Sequence, residues 1–294
     1  MIPLLRPSAP ATLDLAVAVV LALGASSVAG AATGQETQAR IAGDLAAGQP
    51  IVVHLVVALC DNENQGIVPV PKHLGNGQDP ESNLYWGALY GVRNFFPRKG
   101  GWTALPVDKP TGNQIRERLV FFREVTRGDG AVPVYIVADA WDGAEIKSAI
   151  ERFFDISRGA GTEQVSFRRG SRQATISAGG SAHLVAFVGH NGLMDFSFRQ
   201  TAEPMTRQVA SSSIVLACAS KAYFLDLLRG VGSHPLLLTT GLMAPEAYTL
   251  DAAIRSWAQG SSVAAVRDAA ATAYQEYQKC GRQAARNLLW GQEP

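Results

Sequence analysis

The chain predicts an α/β fold, a three-layer sandwich built on a mostly parallel sheet. Ile51 to Leu59 (Ile-Val-Val-His-Leu-Val-Val-Ala-Leu) is a β-branched and aliphatic run, the pattern of a strand buried on both faces. Residues 183–190 (His-Leu-Val-Ala-Phe-Val-Gly-His) and 213–218 (Ser-Ile-Val-Leu-Ala-Cys) repeat that pattern. Strand-like and helix-like runs alternate along the chain, as parallel strands require, because each connection must cross over the sheet.

In order, residues 1–31 read as an export signal. Arg6 precedes an apolar stretch from Leu15 to Leu23, and Ala29-x-Ala31 fits a signal-peptidase site. The apolar run is shorter than the roughly 20 residues that span a bilayer. The expectation is a secreted or periplasmic protein, envelope association included, with no stable membrane span after signal removal. Residues 32–50 are polar and Ala/Gly-rich, a linker or a short leading helix, and residues 51–290 would form a single domain.

The Ile51 strand ends at Cys60-Asp61-Asn62, before a long Gly/Pro/Asn loop from Gln65 to Pro80. Loops of that length are functional or disordered. Asn83 to Phe96 carries Trp86, Leu89, Tyr90 and Arg93 at helical spacing. Leu119 to Val125 and Val132 to Ala138 read as strands, and Ala144 to Phe154 as an amphipathic crossover helix. Thr162 to Ser181, polar and basic, reads as a hairpin or exposed excursion. Lys221 to Arg229 suits a helix stopped by Gly230, and Pro235 to Thr240 a strand. Leu250 to Trp257 is helical, and Val263 to Leu289 is a long Ala-rich helix or a helix pair.

Hydrophobic residues make up 47% of the 294 and charged residues 17%, a globular composition. A net charge of +1 gives no electrostatic reason for a nucleic-acid partner or an anionic membrane. No Gly-rich phosphate loop is present, since Gly75-Asn76-Gly77 lacks the Lys-Ser/Thr that would follow. A Gly-x-Ser-x-Gly elbow is absent as well.

Reactive residues stand where the two later strands end. His190 and Cys218 would lie at the carboxyl edge of the sheet, where open α/β folds place their sites. Cys218 would lie near a helix N-terminus, which favours a thiolate, and His190 could take its proton. The Gly192 and Cys218 amides could form an oxyanion hole.

Phe187-Val188-Gly189-His190-Asn191-Gly192 and Val215-Leu216-Ala217-Cys218-Ala219-Ser220 resemble the His and Cys motifs of the caspase–hemoglobinase cysteine peptidases. The following Thr239-Thr240-Gly241 and the stretch from Leu250 to Ala273 are similar to the layout of bacterial CHAT and legumain-like members. The resemblance spans about residues 51–287 in element order and about 40 residues in motif detail. It implies a caspase-like sheet and a thiol peptidase that needs no cofactor and acts on a peptide or protein. Cys218 would be its nucleophile, His190 its base, and Asn62 the residue orienting His190, with Asp61 equally placed. The family has Gly directly after His, where this chain has Asn191. Asp195 could select a basic substrate side chain or simply cap a loop.

Other readings compete for the same residues. Three cysteines in an exported protein allow one disulfide: Cys60–Cys218 would quench the nucleophile, whereas Cys60–Cys280 would leave it free. The alternative function is a non-catalytic secreted or envelope binding domain of the same fold, with either Cys60–Cys218 or Cys60–Cys280 as a structural disulfide. Cys60, Asp61, His190 and Cys218 lack the short paired spacing of a zinc site, so no metal is expected. His54 and His183 read as structural, and His73 and His234 as loop residues. Asp139 and Asp142 form either an acidic cleft edge or a helix cap. Tyr85, Trp86 and Tyr90 pack the core or line a groove. No feature of the sequence sets an oligomeric state.

Overall fold

A computed structural model describes residues 33–198 and 209–293. The expected export signal lies outside the described residues. The strands are β1 (Ile51–Ala58), β2 (Thr103–Pro106), β3 (Ile115–Arg127), β4 (Gly130–Trp141), β5 (Glu163–Arg169), β6 (Arg172–Ala178), β7 (Leu184–Val188), β8 (Ser212–Leu216), β9 (His234–Thr239) and β10 (Leu289–Trp290). The helices are α1 (Gly34–Ala46), α2 (Val92–Arg98), α3 (Ile146–Ser157), α4 (Ser220–Gly230), α5 (Ala247–Ala258), α6 (Val263–Gln278) and α7 (Arg282–Leu288).

Eight strands form one mixed, mostly parallel sheet in the order β10-β9-β8-β7-β1-β4-β3-β2, and β5 and β6 form a separate hairpin. β1 pairs in parallel with both β4 and β7, β7 with β8, and β8 with β9. The antiparallel pairs lie toward the two edges. Side chains alternate across the sheet, so Val53, Leu55 and Val57 of β1 join one core and Val52 and Val56 the other. The first core is covered by α1, α2, α5, α6 and α7, the second by α3, α4 and the hairpin. Burial on both faces explains why the central strands read as continuous apolar runs.

The stretch expected as a linker or leading helix is α1. Thr33 and Glu36 form a capping box at its start, and Ile41 is fully buried. His183 fastens this helix to the sheet: the Val52 N–H donates to Nδ1 at 3.1 Å, and Nε2 lies 2.9 Å from Asp44.

The helix expected over Asn83 to Phe96 begins only at Val92. Asn83 binds the chain around it, accepting from the Cys60 and Tyr85 amides and donating to the Cys60 and Asn76 carbonyls. Such side-chain bonds compete with a helical backbone. Gly87 and Gly91 sit against main chain: an added Cβ would approach Glu81 O to 2.1 Å and Trp86 O to 2.4 Å.

Four polar residues, His54, Asp139, Arg118 and Glu163, join the sheet to the hairpin through side-chain hydrogen bonds. His54 Nε2 is 3.1 Å from Asp139, whose carboxylate accepts from Arg118 at 2.7 Å, and Arg118 reaches Glu163 of the hairpin at 2.8 Å. Burial alone would raise the Asp139 carboxyl, but hydrogen bonds from Arg118 and His54 outweigh it and hold the pKa near 2. Asp139 is therefore an anchor for the hairpin rather than a cleft edge. Asp142 does cap the turn into α3, accepting from the Ala144 N–H at 3.0 Å. His54, Asp139 and Glu163 bring ligand-type atoms within 4.8 Å of one another, with Arg118 already supplying the positive charge.

No helix among the described residues is long and apolar enough to cross a membrane.

Candidate functional site

The sheet places three chain ends side by side. β7 lies between β1 and β8 with Val57 opposite Val188 and Val188 opposite Leu216, so Cys60, His190 and Cys218 follow the carboxyl ends of neighbouring strands. Gly189 lets β7 end close to β1, since an added Cβ would come within 2.9 Å of Ala58 O. Beyond the strands the junction is held by Asn191. Its side-chain amide donates to the Cys218 carbonyl at 2.7 Å and its oxygen accepts from the Leu193 N–H at 3.2 Å.

His190 is nearly buried, and its Nε2 lies 2.7 Å from Asp195 Oδ2. A carboxylate there requires an N–H on Nε2, which leaves Nδ1 as the basic nitrogen. The same Asp195 oxygen accepts from the Gly66 N–H at 3.0 Å, fixing the carboxylate from the far side. Asp195 thus sits behind His190 rather than standing free to select a basic substrate. Its signal in the sequence was only its position five residues after His190.

The expected orienting residue, Asn62, lies elsewhere. It both donates to and accepts from Val70, at 2.8 and 3.0 Å, and closes the long loop. Asp61 accepts from the Glu63 and Asn64 amides and from Asn64 Nδ2, stabilising a turn. The long loop is consequently well tied, with Gln65 donating to Leu59 O and Gly143 O.

Cys218 precedes α4 by two residues, near the positive end of its dipole. Ala219 between them has φ 50° and ψ 31°, a left-handed conformation that costs a non-glycine residue about 1 kcal/mol. That turn joins the end of β8 to α4, and the Cys218 sulfur meets the Met243 backbone. The Met243 N–H donates to Sγ at 3.4 Å, and Met243 O lies 3.6 Å from it. No acceptor for the Cys218 amide is found among the described residues. Gly192 is not an oxyanion donor in this arrangement. Its N–H donates to His190 O at 3.1 Å, and its α-carbon is packed under Phe196 and Ile150.

Cys60, Cys218 and Cys280 are free thiols, so neither expected disulfide is present. Cys60 is buried and its thiol is pushed up to about 11 by burial, despite a hydrogen bond with Tyr85. The buried Tyr85 phenol is itself raised above its ordinary range, by burial first and then by the charges of Cys60 and Cys218. Tyr85 is therefore the hydrogen-bond partner of the Cys60 thiol, a role its aromatic neighbours in the sequence concealed. Trp86 packs the core and donates to Glu117, and Tyr90 meets the Tyr248 and Tyr277 rings edge-on. Cys280 is exposed after α6. His234, expected in a loop, is the buried first residue of β9, and burial lowers its pKa to about 4.

The arrangement supplies a thiol near a helix N-terminus, an imidazole oriented by a carboxylate and, among the described residues, a cysteine amide without an acceptor. No protein-family model, curated protein or solved structure matches the chain.

Proposed function

We propose that the chain is an exported cysteine peptidase-like hydrolase of the caspase–hemoglobinase type, with Cys218 as nucleophile and His190 as base. The observation that carries this reading is the Asp195–His190 pair, held at 2.7 Å beside the strand end that bears Cys218. His190 Nδ1 would take the thiol proton, and the sulfur would attack the carbonyl carbon of a peptide or amide bond. The oxyanion would be met by the Cys218 amide. Protonated His190 would give its proton to the departing amine, leaving a thioester. Water, deprotonated by His190, would then release the acid and restore the thiol.

A second reading, a non-catalytic binding domain of the same fold, draws on the Met243 backbone, which engages the Cys218 sulfur. Iodoacetamide labelling of the native protein across pH 5–9, with peptide mapping, separates the two. Alkylation of Cys218 well below the ordinary thiol range, slowed at least tenfold in His190→Ala, is the result expected of the enzyme. A Cys218 that reacts only after denaturation would leave the binding domain.

A further inference from the structure

Glu246 is a half-buried carboxylate held entirely by neutral donors. It stands at the N-cap of α5, yet its side chain does not cap the helix. Its Oε2 instead accepts from the Tyr248 O–H at 2.7 Å and from Gln278 Nε2 at 3.2 Å. Gln278 also donates to the Tyr248 oxygen at 2.7 Å, and the Tyr248 ring is stacked on Tyr277 with centroids 4.3 Å apart. The carboxylate is thereby fixed in position. Among the described residues no Lys, Arg or His is paired with it. Burial raises the carboxyl above its ordinary range, against both hydrogen bonds. A carboxylate desolvated in this way is destabilised, and a cation brought by a ligand would offset that penalty.

The segment that carries Glu246 is the one that meets the Cys218 sulfur. The Met243 N–H donates to Sγ at 3.4 Å, and Glu246 follows three residues later. Three residues span at most about 11 Å. Here the chain turns back, since the Glu246 N–H donates to Ala244 O at 2.9 Å. The Ala244 N–H in turn donates to the Tyr274 hydroxyl at 3.2 Å. That phenol is raised by burial first and then by the charges of Cys280, Cys218 and Glu246, so thiol and carboxylate both act on one hydroxyl. Asp195 and Asp61, which follow neighbouring strand ends, are already engaged: Asp195 by His190 and the Gly66 N–H, Asp61 by the amides of its own turn.

We infer that Glu246 receives a lysine or arginine side chain of the substrate, on the residue whose carbonyl is attacked. The inference rests on the peptidase reading for the cutting, and on the cation-free carboxylate in the Cys218-contacting segment for the preference.

The test uses chloromethyl ketones of Ala-Ala-Lys, Ala-Ala-norleucine and Ala-Ala-Asp on the full chain. Norleucine matches the lysine stem without its ammonium group. The Cys218 sulfur would form a bond to the methylene carbon as chloride leaves, with His190 accepting the thiol proton. Rates are read by mass spectrometry and normalised to iodoacetamide in the same protein. In parallel, Cys218→Ser, with and without Glu246→Gln, is titrated with Ala-Ala-Lys and Ala-Ala-norleucine amides. Gln keeps an oxygen for Tyr248 and loses only the charge. The Lys reagent is expected to react at least tenfold faster than the other two, and within twofold of norleucine in Glu246→Gln. At a Cys218 that iodoacetamide shows to be activated, equal Lys and norleucine rates, or a Lys advantage that survives Glu246→Gln, would overturn the inference and spare the peptidase. An inert Cys218 with Lys-selective binding by Cys218→Ser that Glu246→Gln abolishes would remove the peptidase and keep the site for a basic side chain. An inert thiol without such binding would remove both.

Discussion

Asn191 and Cys218 are tied by one hydrogen bond, the side-chain amide of the first donating to the carbonyl of the second at 2.7 Å. It joins the chain just past β7 to the chain just past β8, where the ladder has ended. Asn191 is fully buried, so its side chain acts as a strand extension between the segments that carry His190 and Cys218. Replacing it with Ala should cost about 1–3 kcal/mol, because groups it satisfies lose their partner. Urea unfolding of Asn191→Ala checks this, and an unchanged midpoint would show the tie to be incidental.

Asp195→Asn preserves the shape behind His190 but removes the charge and the tautomer preference. Cys218 alkylation at neutral pH should fall at least tenfold, with little loss of stability, since Asp195 is about one-third exposed. Equal alkylation rates in variant and wild type would exclude Asp195 as the orienting group.

Ala219 carries the left-handed turn between Cys218 and α4. Gly relieves the clash, so Ala219→Gly should keep the native fold with stability unchanged or higher by up to about 1 kcal/mol. Val, branched at Cβ, should destabilise by about 1–2 kcal/mol or more and slow Cys218 labelling. A Val variant as stable as wild type would contradict the turn geometry.

His183 titrates with a definite sign. Burial lowers its folded pKa to about 4 from an ordinary 6.5. The neutral ring is the form that fits, since Nδ1 accepts from Val52 and Nε2–H faces Asp44. Between these values the unfolded chain binds more protons, so this contribution is full above pH 6.5 and is lost as pH falls toward 4. The ceiling is about 3 kcal/mol at 1.36 kcal/mol per unit. His234 acts in the same direction. A series of urea midpoints from pH 7 to 4 should therefore be flatter in His183→Gln than in wild type, and parallel curves would refute the assignment.

Arg118→Met leaves Asp139 buried without its guanidinium, at an expected cost of about 3–5 kcal/mol. Adding Asp139→Leu should recover much of that loss, because the stranded charge is gone. A double variant whose loss of unfolding free energy equals the sum of the two single-variant losses would show that the pair is not coupled.

Much of the architecture was legible because burial on both faces leaves a direct trace in residue type. The runs at 51–59, 183–190 and 213–218 became β1, β7 and β8, and the expected hairpin formed as β5 and β6. The placement of His190 and Cys218 at neighbouring strand ends followed from those runs. β2 and β10 were missed, being short edge strands whose pattern is too brief to stand out. The helix expected from Asn83 failed because apolar spacing says nothing of Asn83 bonding to Cys60, or of backbone pressed against Gly87 and Gly91.

By itself the sequence determined the alternation of buried strands and helices and the residues at the sheet's carboxyl edge, since both follow from local hydrophobic pattern. Only the tertiary structure decided that Asp195, not Asn62, stands behind His190, that the Gly192 amide is engaged by His190, and that three cysteines remain apart. Those outcomes depend on where loops fold back over the sheet. A hydrogen bond between Gly66 and Asp195, far apart in the chain, is set by that return path and leaves no periodic mark in either segment.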